Sequence, residues 1–255
     1  MDANLKDFVC VIQARMSSTR LPGKVLIKTN SNNEYTLLSY LINRITPLYN
    51  KGLDIVIATS TEVEDDKIED YVKHNFPYIK VSRGELNDVL SRYYECVKIL
   101  GKKAIVRITS DCPFSDPNLI LEMINEFVNS KADYISNTMP PEKSEFSDGF
   151  DVEIFSFKVL EECAKNLLLT DSEREHVTFA MWQNSNYTSV IFPNHNKTNL
   201  TYKLSIDNSN DFDLFQRIIN GIEINLPYYE IEKFINKEKL YLINKESIKN
   251  SGWKK

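Results

Sequence analysis

The first half of the chain alternates short contiguous apolar runs with stretches in which apolar residues recur every three or four positions. Residues 8–14 (FVCVIQA) read as a buried strand, and 53–59 (LDIVIAT), 79–82 and 104–109 (AIVRIT) repeat the pattern. Between them, 35–48 places Leu37, Leu38, Leu41, Ile42 and Ile45 at helical spacing. Residues 64–75 predict a helix with an acidic first turn, which suits its N-terminal dipole. Further helices are expected over 86–100, with Asn87 or Asp88 near the start, and over 116–130, with Ser115 or Asp116 as cap and Pro117 at the first position. Strands separated by helices of this length argue for βαβ units and a parallel sheet.

The second half is less regular. Strands are expected at 134–137, 150–155 (FDVEIF), 187–192 and 202–206, with a loop over 139–149. Helical patterns cover 158–167, 173–183, 210–220 and the C-terminal segment. There is no internal repeat and no Gly-, Ser- or Pro-rich linker. The expected architecture is one α/β domain over 1–255, a three-layer α/β/α sandwich. Its sheet is mainly parallel but mixed, with a small antiparallel insertion. The core is expected over 7–225 and a helical extension over 226–255. The tail 245–255 is Lys-rich and polar, which argues against order there.

Composition narrows the function classes. Of 255 residues, 42% are apolar and 26% charged, an ordinary globular balance. The net charge of −5 argues against a broad basic face for a nucleic acid polymer. With only 7 Gly, neither G-x-G-x-x-G nor G-x-x-x-x-G-K-[ST] occurs. The 4 Cys are scattered without a C-x-x-C pair, as for reduced packing residues, and 3 unclustered His leave no zinc pattern. No apolar run is long enough for membrane insertion, and the N-terminus lacks a signal-like stretch. A cytoplasmic protein is the expectation.

The clearest chemical signal is the segment 14–24 (ARMSSTRLPGK), directly after the first predicted strand. Ligands of open parallel sheets sit beyond the carboxyl ends of strands. Arg15, Arg20 and Lys24 are interleaved there with Ser17, Ser18 and a Pro22-Gly23 turn. Such a loop can wrap a polyphosphate with side-chain charge and backbone N–H groups; a solvated basic loop is the alternative. Asp111 follows the strand 104–109, well placed to hold Mg²⁺ on a nucleotide, or else Asp111 or Ser115 caps the next helix. Asp207 follows the predicted strand 202–206, as a second such carboxylate or a turn residue. Asp88 and Arg92 are four apart and form an i,i+4 ion pair or, with Arg83, a polar binding group. Asp148, Asp151 and Glu153 lie near a strand, and the last two share a face. They can accept hydrogen bonds from substrate hydroxyls or mark a solvated edge. Arg174 and His176 begin a helix, able to fix an acidic group and donate a hydrogen bond, or simply a charged helix start.

Residues 12–15 (IQAR) through 20–24 (RLPGK) resemble the opening signature of the cytidylyltransferases that activate acidic sugars as CMP-sialic acid or CMP-3-deoxy-manno-octulosonate. The similarity is closest to the SpsF-like branch associated with spore coat polysaccharide. It continues in order through 83–93 (RGELNDVLSRY), 107–113 (RITSDCP), 148–153 (DGFDVE) and 172–177 (SEREHV). The resemblance implies the nucleotide-diphospho-sugar transferase (Rossmann-like) fold. It also implies a Mg²⁺-dependent reaction: CTP plus a sugar or acidic sugar-like acceptor gives CMP-acceptor and pyrophosphate, for surface polysaccharide precursors. Arg15, Lys24, Asp111 and Asp207 would be catalytic, the two Asp as metal ligands. Ala14, Arg15, Ser17, Ser18, Arg20, Lys24, Arg83, Asp88, Arg92 and Ser110 would meet the nucleotide. Asp148, Asp151, Glu153, Arg174 and His176 would meet the acceptor. Relatives also suggest a homodimer. Ser110 stands where the family often has Gly, and 208–211 (NSND) where it usually has Thr-Pro-Glu-Asp. A glycosyltransferase on the same fold is a competing reading. Asp211-Phe212-Asp213 has its Asp-x-Asp spacing, but inside a predicted helix. A catalytically silent nucleotide-sugar-binding protein is another.

Overall fold

The apolar runs 8–14, 53–59 and 104–109 form strands that are buried on both faces. A computed structural model describes residues 3–30, 35–196 and 201–247; most of the predicted polar tail, 248–255, lies outside the described residues. The elements in chain order are β1 (Phe8–Gln13), α1 (Leu37–Tyr49), β2 (Asp54–Ser60), α2 (Asp66–Asn75), β3 (Lys80–Gly84), α3 (Val89–Lys98), β4 (Ala104–Thr109) and α4 (Pro117–Ser130). There follow β5 (Tyr134–Ser136), β6 (Glu153–Ser156), α5 (Phe157–Lys165), α6 (Asp171–His176), α7 (Phe179–Trp182), β7 (Ser189–Ile191), α8 (Ser209–Ile219) and α9 (Tyr228–Lys237).

The strands form one seven-stranded sheet in the order β3-β2-β1-β4-β6-β5-β7. β3, β2, β1 and β4 run parallel, β6 is antiparallel to both β4 and β5, and β7 is parallel to β5. This is the expected mixed, mainly parallel sheet. Period-two geometry divides the core between two faces. Phe8, Cys10 and Ile12 of β1 join Leu41 and Ile45 of α1, Met123 of α4 and Phe215 of α8. Val9 and Val11 join Tyr93 and Val97 of α3 and Leu160 of α5. Asp116 caps α4 as expected, accepting from Asn118 N at 2.8 Å, with Pro117 at the first position. Asp88 caps α3, accepting from Ser91 N at 2.9 Å.

Three expected elements differ. The helix predicted over 173–183 is broken into α6 and α7 by Val177, at φ 62° and ψ −58°. Thr178 N–H donates to His176 O at 2.6 Å, closing a γ-turn of the rare, strained hand. The strand predicted over 202–206 is absent. One isolated bridge joins Lys203 to Asp148. Leu204 N and Ser205 N both turn onto Asp148 O, at 2.6 and 3.2 Å, so no ladder continues. The strand predicted over 150–155 shortens to β6, because Phe150 O and Val152 N bond the Asn137 side chain, at 2.9 Å each, and not a neighbouring strand.

Chain order reverses direction across the sheet between β1 and β4. A crevice opens at such a switch point, beyond the strands' carboxyl ends. The loop after β1 and Asp111 after β4 flank it.

Candidate active site

The loop after β1 is held from below by an acid. The Asp65 carboxylate, 2% exposed, accepts from Met16 N at 2.6 Å, from Ser60 N at 3.2 Å and from the Ser60 hydroxyl. Gly23 turns the loop back with φ +70°, its N–H donating to Met16 O at 2.9 Å. That turn starts a 3-10 segment, Lys24–Leu26, and aims Lys24 inward.

Lys24 joins the two acids expected at the crevice. Its Nζ lies 3.1 Å from Asp111 Oδ2 and 3.5 Å from Asp207 Oδ1, and donates to Ile206 O at 2.6 Å. Arg20 reaches the same Asp207 oxygen at 3.0 Å. The other Asp207 oxygen is 3.1 Å from Lys203 Nζ, which is itself buried against Asp211 at 2.9 Å. Burial opposes ionisation of Asp111, but the Lys24 charge and bonds from Thr109 and Lys24 outweigh it and hold the carboxyl down at about 2. Asp111 is therefore anionic at neutral pH.

A second group lies toward β6. The Glu153 carboxylate, 3% exposed, pairs with Arg107 of β4 and accepts from the Tyr134 and Thr178 hydroxyls at 2.6 Å each. Arg107 also reaches Gln13 Oε1 at 3.4 Å. Burial disfavours the Arg107 charge, yet Glu153 and the tyrosines more than compensate and keep it protonated. Asp151 Oδ2 accepts from Gly149 N at 2.6 Å. Burial, and then the charge of Asp148, push the Asp151 carboxyl up to about 7. The His176 ring stacks on Phe179, with centroids 4.4 Å apart.

These groups line one cavity of about 530 Å³. It gathers Arg15, Ser17, Ser18, Arg20 and Lys24 from the loop, Ser110 and Asp111 after β4, Asp207, and Asp148, Asp151, Glu153 and His176. Five expected residues are not on its wall. Ala14 is buried, its N–H bonded to Ala58 O at 3.1 Å. Arg83 spends its guanidinium on Asp66 at 2.6 Å, Glu69 at 3.0 Å and the carbonyls of Ser60 and Glu62. The expected Asp88–Arg92 pair is not formed: Asp88 holds Arg174 instead, at 2.6 and 2.8 Å. Arg92 is buried and donates to Glu85 O at 3.3 Å. Arg174 is thereby kept off the cavity too.

The alternative roles also resolve. Asp116, not Asp111 or Ser115, caps α4. Asn208 caps α8 as a Thr would, accepting from Asn210 N and Asp211 N. Asp211 of the Asp-x-Asp triplet is fully buried on Lys203, so it reaches no ligand. Sequence reasoning missed Gln13, Arg107, Cys112 and Glu175, which line the cavity, and Asp65 and Lys203, which brace it. Arg107 had one signal: a lone charge inside the apolar run AIVRIT.

Among the described residues, no helix is long and apolar enough to cross a membrane. The cytidylyltransferase family model matches residues 9–248. The spore coat polysaccharide biosynthesis protein SpsF of Bacillus subtilis is 33% identical over 216 residues, 82% of this chain and 85% of that one. The 3-deoxy-manno-octulosonate cytidylyltransferase of Parabacteroides distasonis is 26% identical over 58% of this chain and 55% of that one. A cytidylyltransferase structure from Leptospira borgpetersenii superposes with TM-score 0.83 at 28% identity, covering 93% of this chain and 97% of that one. The fold is thus of the nucleotide-diphospho-sugar transferase type, and the chain belongs to the cytidylyltransferase family of nucleotidyltransferases.

Proposed function

We propose that this protein transfers CMP from CTP to a hydroxyl of a sugar or sugar-like acceptor, with Mg²⁺, in making a surface polysaccharide precursor. One observation carries the reading. A single ammonium, Lys24, bridges Asp111 and Asp207 under a cationic loop, at the switch-point crevice. Two hard carboxylates already sharing one cation suit a divalent ion. Among the described residues no group of three or more His, Cys, Asp or Glu is arranged for a metal. The remaining ligands would then come from triphosphate oxygens and water, as is usual for Mg²⁺. Asp111 and Asp207 would hold the ion, which supplies charge neutralisation at the α-phosphate.

Arg15 and Arg20 bind the β- and γ-phosphates, and Lys24, on the same cavity wall, would add its charge to theirs. The acceptor oxygen attacks the α-phosphorus in line. A new P–O bond forms, the bond to the β-phosphoryl oxygen breaks, and pyrophosphate leaves with its charge on the loop. The acceptor's proton passes to solvent or a cavity carboxylate. Positioning and charge stabilisation account for most of such catalysis. The SpsF relationship supports the polysaccharide setting. The test is transfer of label from α-³²P-CTP to an acceptor pool from a producing cell, with stoichiometric pyrophosphate. Labelled CMP-acceptor supports the reading. Label moving only from a nucleotide sugar contradicts it.

A further inference from the structure

The chain beyond α9 reaches the candidate site through one buried carboxamide. Lys239, at φ 54°, turns the chain back after α9 into a 3-10 turn, Leu240–Leu242. The residues that follow meet a single stretch of chain, 202–211. The Tyr241 ring stacks on Tyr202, with centroids 5.8 Å apart and planes 20° apart. Asn244 Nδ2 donates to Lys203 O and to Asp211 Oδ1, at 2.9 Å each. Asn208 Nδ2 donates to Ser247 Oγ at 3.2 Å.

That stretch carries Asp207, and only the isolated bridge at Lys203 joins it to the sheet region. Asp211 and Lys203 hold Asp207 from behind. Asp211 Oδ2 accepts from Asp207 N at 3.0 Å, from Asn208 N at 3.3 Å and from Lys203 Nζ at 2.9 Å. Lys203 Nζ in turn lies 3.1 Å from Asp207 Oδ2. The Asp207 backbone and one of its carboxylate oxygens are thus both set by this pair. The other oxygen faces Arg20 and Lys24. Asn244 is 6% exposed, and its amide has two N–H donors, one spent on each member of the pair. Asp211 is fully buried, so removing a donor from its carboxylate costs more than the bond itself contributes. Groups standing behind a metal ligand set its orientation and tune the affinity of the site.

On the reading above, on which this inference rests, Asp207 holds the divalent ion. We propose that Asn244 is a positioning residue for that acid. Through Asp211 and Lys203 it fixes where the Asp207 carboxylate stands. The chain beyond α9 therefore completes the metal side of the site, although none of its residues lines the cavity.

Asn244→Leu tests this. It removes both donors, keeps the bulk and changes no charge, so positioning is separated from electrostatics. Calorimetry on the full chain gives the CTP dissociation constant in EDTA and at saturating Mg²⁺. The ratio of the two is the metal's contribution to nucleotide binding. Asn244→Leu is expected to lower that ratio by about tenfold, the low end for a partner behind a metal ligand. The constant in EDTA should stay as in the unsubstituted protein, because the loop cations are untouched. If Asn244→Leu does not fold, by circular dichroism, Asn244→Ser carries the test with the same expected readings. Its hydroxyl is too short to span both acceptors. A folded variant with an unchanged ratio overturns the inference. So does one that weakens both constants equally, which is a general structural loss. An unsubstituted protein whose CTP binding ignores Mg²⁺ overturns the functional reading, and this inference with it.

Discussion

Lys24 is only 9% exposed, yet it meets two carboxylates and a carbonyl that lie far along the chain. A cation in that position offsets the repulsion between the two carboxylates. Asp151 is the opposite case, an acid whose burial, and then the charge of Asp148, disfavour its ionisation. Its ionisation in the fold comes near pH 7, against 3.8 for an ordinary Asp. The folded state therefore holds the proton more tightly, so this group costs stability as pH rises from about 4 to about 7, and the cost is constant above that. Asp151→Asn should leave the melting temperature nearly unchanged at pH 4 and raise it by a few degrees at pH 8. Thermal scans at both pH values check this, and a uniform fall at both contradicts it. The loop cations and the two crevice acids were legible at this scale, because each sits at a predicted strand end. The roles of Glu153 and Arg174 were not. Their partners, Arg107 and Asp88, are 46 and 86 residues away, and no local pattern connects them.

The elements that differ from expectation are those shaped by close tertiary contact. Apolar spacing continues through 173–183, so periodicity alone carries the helix across Val177. The break comes from Glu153, whose carboxylate takes the Thr178 hydroxyl and fixes the γ-turn. A β-branched residue at positive φ costs about 1–3 kcal/mol, which the surrounding bonds must offset. That turn brings Glu175 and His176 to the cavity. At Gly149 the reason is steric. A Cβ there would lie 2.6 Å from Leu204 C and from Ser205 N, and φ is +111°. Both contacts are backbone, so nothing can swing aside. Gly149→Ala should lose about 3 kcal/mol or more, from strain and overpacking together. Urea unfolding measures it; an unchanged midpoint would mean that the approach of these two segments is not as described. The helices of the first half were legible because their caps and apolar faces agree, as Asp116-Pro117 does for α4.

At the scale of the whole molecule, one buried guanidinium ties the C-terminal segment to α1 and the start of α4. Arg44 of α1 is fully buried and donates to the carbonyls of Phe114 at 3.1 Å, Ser115 at 3.0 Å, Leu226 at 2.7 Å and Ile224. It links α1, the start of α4 and the approach to α9. Burial disfavours its charge, partly offset by Tyr40 and Asp116. Arg44→Met keeps the bulk but leaves buried carbonyls without donors. A loss of about 2–4 kcal/mol is expected, since each unsatisfied group costs about 1–3 kcal/mol and some regain water. Urea unfolding would show it, and a loss below 1 kcal/mol would argue against the clamp. The sheet order itself was not legible. The parallel half followed from alternating periodicity, but β6 enters between β4 and β5, where Glu153 pairs with Arg107 46 residues away, a long-range pairing that periodicity does not report.

The central claim is that the crevice between β1 and β4 binds a metal-bound nucleoside triphosphate on Asp111 and the loop cations. Isothermal titration of CTP, with and without Mg²⁺, into the intact protein and into Asp111→Asn tests it most directly. The account predicts Mg²⁺-dependent CTP binding that weakens by about 10-fold or more on Asp111→Asn, the loss of one charge-assisted contact. CTP binding that ignores both Mg²⁺ and Asp111 would contradict it.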